Sequence, residues 1–311
     1  MSYFNASEQL NKLTAHIEGA YAPNTIRAYK ADMGEFIRYC NEKSFCALPA
    51  APIDIAKFLL GTMAQGIKSA TIRRKVASIS AVHRLSNFDD PTKHPEVKLC
   101  IRKINRQLGN RFDQAFPITR PLLDRLLSVC GTDVRGLRDR ALLLLAYDSM
   151  RRRAELVSLR IEDIQMGEQG RCSILLRKSK TDQVGSGHWI HLTEETTAAI
   201  TSWLCSSEIK DGHLLRGINL GNNICPELGA SQVSRIFKSL AQKANLESDV
   251  VNAISGHSMR VGAAQDLLQQ GASLPQIMVK GGWVKTDTVM RYIDKVRPPS
   301  LSFGCFYLPR A

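Results

Sequence analysis

Apolar residues recur three or four positions apart through the first 108 residues, and this spacing constrains the fold more than any other feature. In the segment from Ile72 to Leu85 the apolar residues lie on one face of a helix. The same pattern predicts helices at residues 5–20, 23–43, 53–63, 69–85 and 94–108. None of these segments alternates with the period of two that is typical of a half-buried strand. We therefore predict an all-helical domain of four or five helices over residues 1–108.

The chain changes character after this domain. Residues 109–117 hold Gly, Asn and Pro without periodicity, which indicates a linker before a second domain at residues 118–311. The second domain adds two short β-branched and apolar stretches, Cys172–Leu176 and Trp189–Leu192, separated by a polar, Gly-containing tip. The remaining segments follow helical spacing. The expected fold is mainly α with a small β-hairpin or sheet, so the second domain is of the α+β class.

The charge of the chain favours a polyanionic partner. The net charge is +13 and the isoelectric point is near 9.5. Residues 68–106 carry ten Lys and Arg against three acidic residues. These basic side chains could form a solvated helix face, but two basic faces on neighbouring helices favour contacts with a phosphate backbone. The candidates are Arg73, Arg74, Lys75, Lys98, Arg102 and Arg106.

Several classes of protein are disfavoured by the sequence. Eight scattered cysteines form no Cys-x-x-Cys pair, so we expect reduced, mostly buried thiols and no metal site. There is no P-loop and no cluster of carboxylates of the two-metal type, so we expect no cofactor. No apolar run is long enough to span a membrane, and the first residues lack the features of a signal peptide. We expect a cytoplasmic protein, located at a bacterial nucleoid or encoded by a mobile element.

Three consecutive arginines follow an apolar helix. Arg152 shares a helical face with Leu156 and Leu159, four and seven residues later, and therefore points inward. Glu155, three residues later, can then hold its guanidinium group. Arg151 and Arg153 should lie on the flanks, where they could contact a DNA backbone or solvent. The pair of Arg152 and Glu155 is consistent with either a structural ion pair or a functional site.

The segment from residue 255 to residue 292 concentrates groups suited to an anion. His257 and Arg260 are one helical turn apart, and Ser258 is the expected N-cap of their helix. A helix start with a His donor and a fork-shaped guanidinium is a suitable place for a phosphate. Gly281-Gly282-Trp283 follows, and Tyr292 lies nine residues after the tryptophan.

This order of residues resembles the C-terminal signature of the tyrosine recombinases, the phage-integrase family. The Ser-Gly-His-Ser-x-Arg run and the Gly-Gly-Trp are most similar to the Cre-like branch, whereas most of the family has a second His in place of Trp283. The resemblance assigns the first catalytic arginine motif to Arg152 and Glu155. It also places a catalytic lysine on the hairpin in a Lys-Thr context, which favours Lys180 over the competing Lys178.

The resemblance implies phosphoryl transfer from DNA to Tyr292 and back, through a 3′-phosphotyrosyl link and without metal or ATP. Arg152, Arg260, His257 and Trp283 would hold the phosphate, and Lys180 would protonate the leaving 5′ oxygen. The implied partner is double-stranded DNA with paired half-sites, clasped by the helical domain. The protein would be a monomer when free and a homotetramer on DNA.

Three features of this interpretation stay open at the level of the sequence. The apolar tail, Leu301 to Leu308, is the candidate for contacts between protomers, although Pro298-Pro299 departs from a simple helical tail. A type IB topoisomerase uses similar chemistry within one DNA molecule. A non-catalytic DNA-binding relative is the third possibility, but such a protein has no need for the nucleophile.

Overall fold

A computed structural model of the chain describes residues 5–109, 114–167, 172–179, 185 and 187–293. Contacts between Cα atoms divide the chain into two units, residues 1–113 and 114–311. Each unit has its own hydrophobic core. The two are described separately below.

The first unit is built from α-helices. They are α1 (Ala6–His16), α2 (Pro23–Lys43), α3 (Pro52–Ala64), α4 (Ser69–Leu85) and α5 (Pro95–Leu108), with a short 3₁₀ turn at Pro91–Lys93 before α5. Helices α2, α3 and α5 begin at proline, whose fixed φ and missing N–H suit the first turn of a helix. Met33, Phe36, Ile55, Leu59 and Ile79 are among the buried side chains of the core. The prediction of a helical N-terminal domain is confirmed.

The second unit combines helices with one sheet. Its helices are α6 (Arg120–Ser128), α7 (Val134–Ser149), α8 (Arg153–Ser158), α9 (Glu194–Ser207), α10 (Ala230–Lys243), α11 (Ser248–Ala253), α12 (Ser258–Gln269), α13 (Leu274–Gly281) and α14 (Thr286–Ile293), with a 3₁₀ turn at Ile161–Asp163. The strands are β1 (Ile164–Met166), β2 (Cys172–Leu176) and β3 (His188–His191). They form an antiparallel sheet in the order β1-β2-β3. The α+β prediction is confirmed, although it missed β1.

The register of the sheet explains which strand residues are buried. Ile174, in the central strand, lies opposite Ile164 on one side and Ile190 on the other. In β2, the side chains of Cys172, Ile174 and Leu176 are buried, and the two residues between them are partly exposed. This alternation directs one face of the sheet into the core of the second unit.

Two hydrophobic clusters organise the second unit. The larger one surrounds α7, where every residue from Ala141 to Ala146 is buried. A smaller cluster contains Met150, Ala263, Ala264, Ile277, Trp283, Val289 and Ile293, and it joins the end of α7 to α12, α13 and α14. The smaller cluster forms the floor on which the candidate site is built.

Among the described residues, the structure holds no helix long and apolar enough to cross a membrane.

The expected exposure of Lys75 was wrong. Its side chain is buried, forms an ion pair with Glu35 of α2 and lies 5.7 Å from the centre of the Phe58 ring. Lys75 is three residues after Ile72, so it shares the core-facing side of α4. A lysine buried with its charge paired is not available to a phosphate backbone.

The other basic candidates of the first unit lie nearer to solvent. Lys98, Arg102 and Arg106 are exposed along α5. Arg73 is partly buried, and Arg74 is half exposed and paired with Asp32 at 2.8 Å. Because Lys98, Arg102 and Arg106 are spaced four positions apart on α5, they form a continuous basic face.

Candidate active site

The site begins at a break between two helices. Helix α7 ends at Ser149, Met150 adopts the left-handed conformation with φ 53°, and α8 starts at Arg153. A left-handed non-glycine residue is unfavourable, so the surrounding packing must hold it there; Met150 is fully buried. Its carbonyl oxygen accepts a hydrogen bond of 2.7 Å from Nη1 of Arg260. The break therefore joins the arginine segment to α12.

Arg152 and Glu155 form the predicted ion pair. Glu155 is buried, and its Oε1 lies 2.7 Å from Nη1 of Arg152. Its other oxygen accepts the backbone N–H of Arg152 at 3.0 Å, so Glu155 also caps the start of α8. The carboxylate thus fixes both the backbone and the side chain of Arg152, which is about a quarter exposed (24%). The guanidinium keeps access to the cleft described below.

The expected exposure of Arg151 was wrong. Only 5% of Arg151 is exposed; its Nε donates to Ser149 O at 2.9 Å, and its Nη2 donates to Lys280 O at the end of α13. Burial lowers its pKa, and Glu155 opposes this effect. The argument from helical periodicity failed because residues 150–152 are not helical. Arg151 thus links the end of α7 to the end of α13 inside the protein, whereas Arg153 is exposed as expected.

The residues of α12 occupy different depths. His257 is the exposed N-cap residue, and Ser258 is the first helical residue rather than the expected N-cap. Ser258 is buried because its Oγ accepts the backbone N–H of Ser255 at 2.9 Å, which closes the turn before the helix. Arg260, one turn later, has only 1% of its surface exposed. The helix start therefore presents His257 at the surface above a buried guanidinium.

Arg260 is held in an electrostatically unfavourable place. Burial first, and then the charge of Arg152, lower its pKa to about 9. Its Cζ lies 4.0 Å from the centre of the Trp283 ring, a cation–π contact that offsets part of this burial. Its Nη2 is buried and finds no acceptor among the described residues. Buried donors without an acceptor are rare in folded proteins.

Trp283 is placed by the two glycines before it. Gly281 ends α13, and a Cβ atom there would overlap the indole ring. Gly282 has φ +62°, and a Cβ atom there would lie 2.5 Å from Nη1 of Arg151. The Gly-Gly pair therefore allows the chain to turn closely and to seat the ring on Arg260. The indole Nε1 is buried and, like Nη2 of Arg260, has no acceptor among the described residues.

Tyr292 lies next to the indole. The centres of the Trp283 and Tyr292 rings are 5.5 Å apart, with a tilt of 42°. Helix α14 carries Tyr292 and packs on α12 through Val289 and Ile293. The structure thus brings Arg260, Trp283 and Tyr292 into one contiguous set, with Tyr292 partly buried at its edge.

A cleft of about 620 Å³ opens beside this set. Arg152 and Trp283 line it, together with Ser179 and His188 of the hairpin. Burial, followed by the charge of Arg151, lowers the pKa of His188. Lys180 and the rest of the hairpin tip at 181–184 lie outside the described residues, so the choice between Lys180 and the exposed Lys178 stays a prediction. Among the described residues, no group of three His, Cys, Asp or Glu is placed to hold a metal ion.

Comparison with known proteins accounts for this arrangement. The model of the phage integrase family matches residues 118–297, more than half of the chain, and the N-terminal SAM-like domain of phage integrases matches residues 12–87. The chain belongs to the phage integrase family. It is therefore a tyrosine recombinase, an enzyme of site-specific DNA recombination, as its sequence predicted.

Two curated relatives are similar to this recombinase over most of their length. Recombinase cre of Escherichia phage P1 is 28% identical over 290 residues, covering 88% of this chain and 84% of the relative. The integrase/recombinase xerD homolog of Selenomonas ruminantium is 29% identical over 295 residues, covering 91% and 85%. The resemblance to the family is thus confirmed.

Two solved structures share the fold of the recombinase. The Tn1549 transposon integrase (residues 82–397) in complex with circular intermediate DNA gives a TM-score of 0.65 at 16% identity, covering 92% of this chain and 94% of that one. XerH bound to its palindromic difH substrate gives 0.64 at 18% identity, covering 93% and 81%. At these identities the likeness concerns the fold alone.

The sequence did not reveal every group that borders the site of the recombinase. His188 lies just before the predicted strand Trp189–Leu192 and belongs to no predicted element, and the carbonyl of Met150 carries no signal in its side chain. Gln114 and Gln265, which both contact Tyr292, lie in no motif. Nothing in the sequence distinguishes either glutamine from an ordinary solvent-exposed one.

Proposed function

We propose that this recombinase cuts DNA by attack of the Tyr292 hydroxyl on a backbone phosphate bound by Arg260, Trp283 and Arg152. The observation that carries the proposal is a pair of buried donors, Nη2 of Arg260 and Nε1 of Trp283, next to the Tyr292 ring; within the part of the chain that the structure describes, neither has an acceptor. A phosphodiester has two non-bridging oxygens and one negative charge, so it can accept hydrogen bonds from both donors.

The charges of the site support an anion of this kind. Arg152 and Arg260 lie close enough for the charge of Arg152 to lower the pKa of Arg260. A bound phosphodiester would reverse this effect, because its charge favours the protonated form of each guanidinium. In the pentacoordinate transition state the phosphorus centre carries additional negative charge. Donors fixed in a buried site stabilise that charge more strongly than they could in water.

The remaining roles are those that the resemblance to the family implies. The Tyr292 oxygen would form a bond to phosphorus as the bond from phosphorus to the 5′ oxygen breaks, with His257 accepting the phenolic proton. Lys180 would give a proton to the leaving 5′ oxygen, and Glu155 would hold Arg152. The products are a 3′-phosphotyrosyl link and a free 5′-hydroxyl. Attack by a 5′-hydroxyl from another strand reverses each step, so one phosphodiester replaces another without an external energy source.

We further propose that the first 108 residues clasp double-stranded DNA through the exposed α5 face, followed by a linker at 109–117 and the catalytic domain. Lys98, Arg102 and Arg106 supply charges at the spacing of successive helical turns. Recombination between two duplexes, each cut at two places, requires four protomers on paired half-sites. The apolar tail at 301–308, which lies outside the described residues, is the proposed contact between protomers.

Covalent capture tests the nucleophile and the reaction together. Nicked duplexes tiled across the DNA that flanks the gene would be incubated with the protein, and covalent complexes would be digested and mapped. We expect DNA on the peptide that contains Tyr292, and Tyr292→Phe should bind the same duplex without forming the complex. Capture on a different tyrosine would refute the assignment, and binding without capture would favour a non-catalytic DNA-binding protein.

The products on two-site DNA separate recombination from its alternative. We expect exchange of strands between the two sites, and deletion of residues 299–311 should weaken cooperative assembly while sparing binding to one half-site. Relaxation of supercoils without strand exchange on any captured site would favour a topoisomerase. Equal recombination by the truncated and full chains would show that the tail does not link protomers.

A further inference from the structure

The backbone carbonyl of Tyr292 receives hydrogen bonds from two side-chain amides that belong to different parts of the second unit. Nε2 of Gln265, on α12, lies 3.0 Å from the Tyr292 oxygen, and Nε2 of Gln114 lies 3.0 Å from the same atom. Gln265 is 7% exposed, so the first of these bonds is inside the protein. A carbonyl oxygen has two lone pairs, and here both are used by side chains.

Gln114 belongs to an extended segment, residues 114–119, that runs along the start and side of α12. The N–H of Ile118 donates to Ser258 O at 3.0 Å, and the N–H of Phe116 donates to Ala253 O at 3.1 Å. The backbone of Ile118 packs so closely on Gly262 that a Cβ atom on this glycine would overlap its carbonyl. This segment is therefore fixed to the same helix that carries Arg260.

The two amides thus tie the nucleophile's backbone to α12 and to a segment that is bound to the elements before it. Gln265 is on α12 itself, and the 114–119 segment that carries Gln114 is bound to the end of α11 through Phe116 and to the start of α12 through Ile118. Arg260, which faces Trp283, is on α12 as well. The two hydrogen bonds therefore add to the packing of Val289 and Ile293 in fixing the Tyr292 backbone relative to Arg260.

We propose that Gln114 and Gln265 are positioning residues for Tyr292, which act together to hold its phenol at attacking distance from the phosphate. The inference rests on the proposed function, because it takes Tyr292 as the nucleophile. Displacements of the order of 1 Å lower the rates of such attacks strongly, whereas they change the affinity for DNA little. The amides act on the backbone and leave the phenolic oxygen to the substrate.

The test compares the rate of cleavage with the affinity for DNA. Gln114→Met and Gln265→Met keep the length of the side chain and remove the N–H donors. On a nicked duplex at saturating protein, each should slow single-turnover formation of the covalent complex by about 3- to 10-fold, and the double variant by more. The dissociation constant of the half-site should stay within about twofold. Gln232→Met is the matched control, because its amide oxygen accepts the Gly229 N–H on α10, away from Tyr292.

Substitution by glutamate gives a readout that loss of packing would not change. An ionised Gln265→Glu side chain turns an acceptor toward the Tyr292 carbonyl, so its defect at pH 7.5 should exceed that of Gln265→Met. A protonated carboxyl group can donate again, and burial raises its pKa. The ratio of the Gln265→Glu rate to the wild-type rate should therefore increase as the pH is lowered toward 5.

The outcomes separate this inference from the function on which it rests. If wild type is captured on Tyr292 and both methionine variants cleave at the wild-type rate, the amides have no positioning role. Parallel losses of cleavage, DNA affinity and melting temperature would also overturn it, because they indicate a structural role. Should Gln265→Met not fold, the partly exposed Gln114→Met alone must show the slower cleavage. Capture of wild type on another tyrosine would refute the proposed function instead.

Discussion

Replacement of Trp283 by phenylalanine separates the chemical role of this side chain from its packing. In the native protein the Arg260 guanidinium lies 4.0 Å from the centre of the indole ring. Phenylalanine keeps an aromatic ring at this place but has no N–H. In the free protein the indole Nε1 is buried without an acceptor among the described residues, so the substitution removes no hydrogen bond from the folded protein. The free energy of unfolding should decrease by only about 1 kcal/mol, because the smaller phenylalanine ring makes fewer packing contacts.

The effect on cleavage should be larger than the effect on stability. A hydrogen bond to a charged oxygen contributes roughly 1.5–3 kcal/mol, which corresponds to about 10- to 150-fold in rate. Trp283→His, which restores an N–H donor, should retain more activity than Trp283→Phe. The assays are single-turnover cleavage of a nicked duplex and thermal unfolding without DNA.

Trp203 supplies the matched control within the same unit. It is also fully buried, but its Nε1 donates to Leu214 O at 2.8 Å. Trp203→Phe leaves that carbonyl without its donor, so it should lower the free energy of unfolding by about 1–3 kcal/mol and leave the cleavage rate of the folded fraction unchanged. Equal cleavage by Trp283→Phe, Trp283→His and wild type would refute the reasoning, since the indole would then only pack.

Two further predictions concern backbone space and pH. Gly281→Ala should displace Trp283 and slow cleavage at least about tenfold. Gly61→Ala, in open space on α3, should instead raise the free energy of unfolding by about 0.5–1 kcal/mol. Measuring the cleavage rate and the free energy of unfolding of both variants tests these two expectations. Burial lowers the pKa of His83 in the folded protein, so the unfolded chain takes up the proton first as the pH falls. The free energy of unfolding should therefore decrease below pH 6.5, by up to about 1.4 kcal/mol per pH unit. The free energy of unfolding, measured between pH 7.5 and 5, should depend less steeply on pH for His83→Gln than for wild type; equal slopes would contradict this assignment.

The helical architecture followed from the sequence because its signals are local. The apolar stripe of α4 and the prolines that begin α2, α3 and α5 act within one or two turns of a helix. Strand β1 was missed because three residues are too few to show alternation. Its pairing with β2 depends on contacts that the sequence alone does not display.

The arginine segment shows where periodicity failed. It correctly paired Arg152 with Glu155, since three residues separate them in a helix or at its cap. It exchanged the burial of Arg151 and Arg152, because it assumed an unbroken helix where Met150 turns the chain to a positive φ. No residue in this segment is a glycine or proline, so the break is imposed by tertiary packing of Met150 against α12 and α14.

The contacts of the two glutamines with Tyr292 could not be predicted from the sequence. Gln114 and Tyr292 are far apart along the chain, and a lone glutamine is usually a solvent-exposed residue. The sequence also gives no sign that Nη2 of Arg260 and Nε1 of Trp283 lack an acceptor among the described residues, although it shows the motif that contains them. A motif identifies which residues meet, whereas their hydrogen-bond partners depend on the positions of the neighbouring residues.

The division of the second unit into two clusters has a consequence for its dynamics. Helix α7 lies in the larger cluster, whereas α13 and α14 are attached through the few buried side chains of the smaller one. Elements with little buried apolar area open more readily than the centre of a domain. Backbone amides of α13 and α14 should therefore exchange with deuterium through partial opening, whereas those of α7 should exchange only through global unfolding. Each such opening would withdraw both the indole and the phenol from Arg260, so the exchange rates of these amides would also report how often the site comes apart in the absence of DNA.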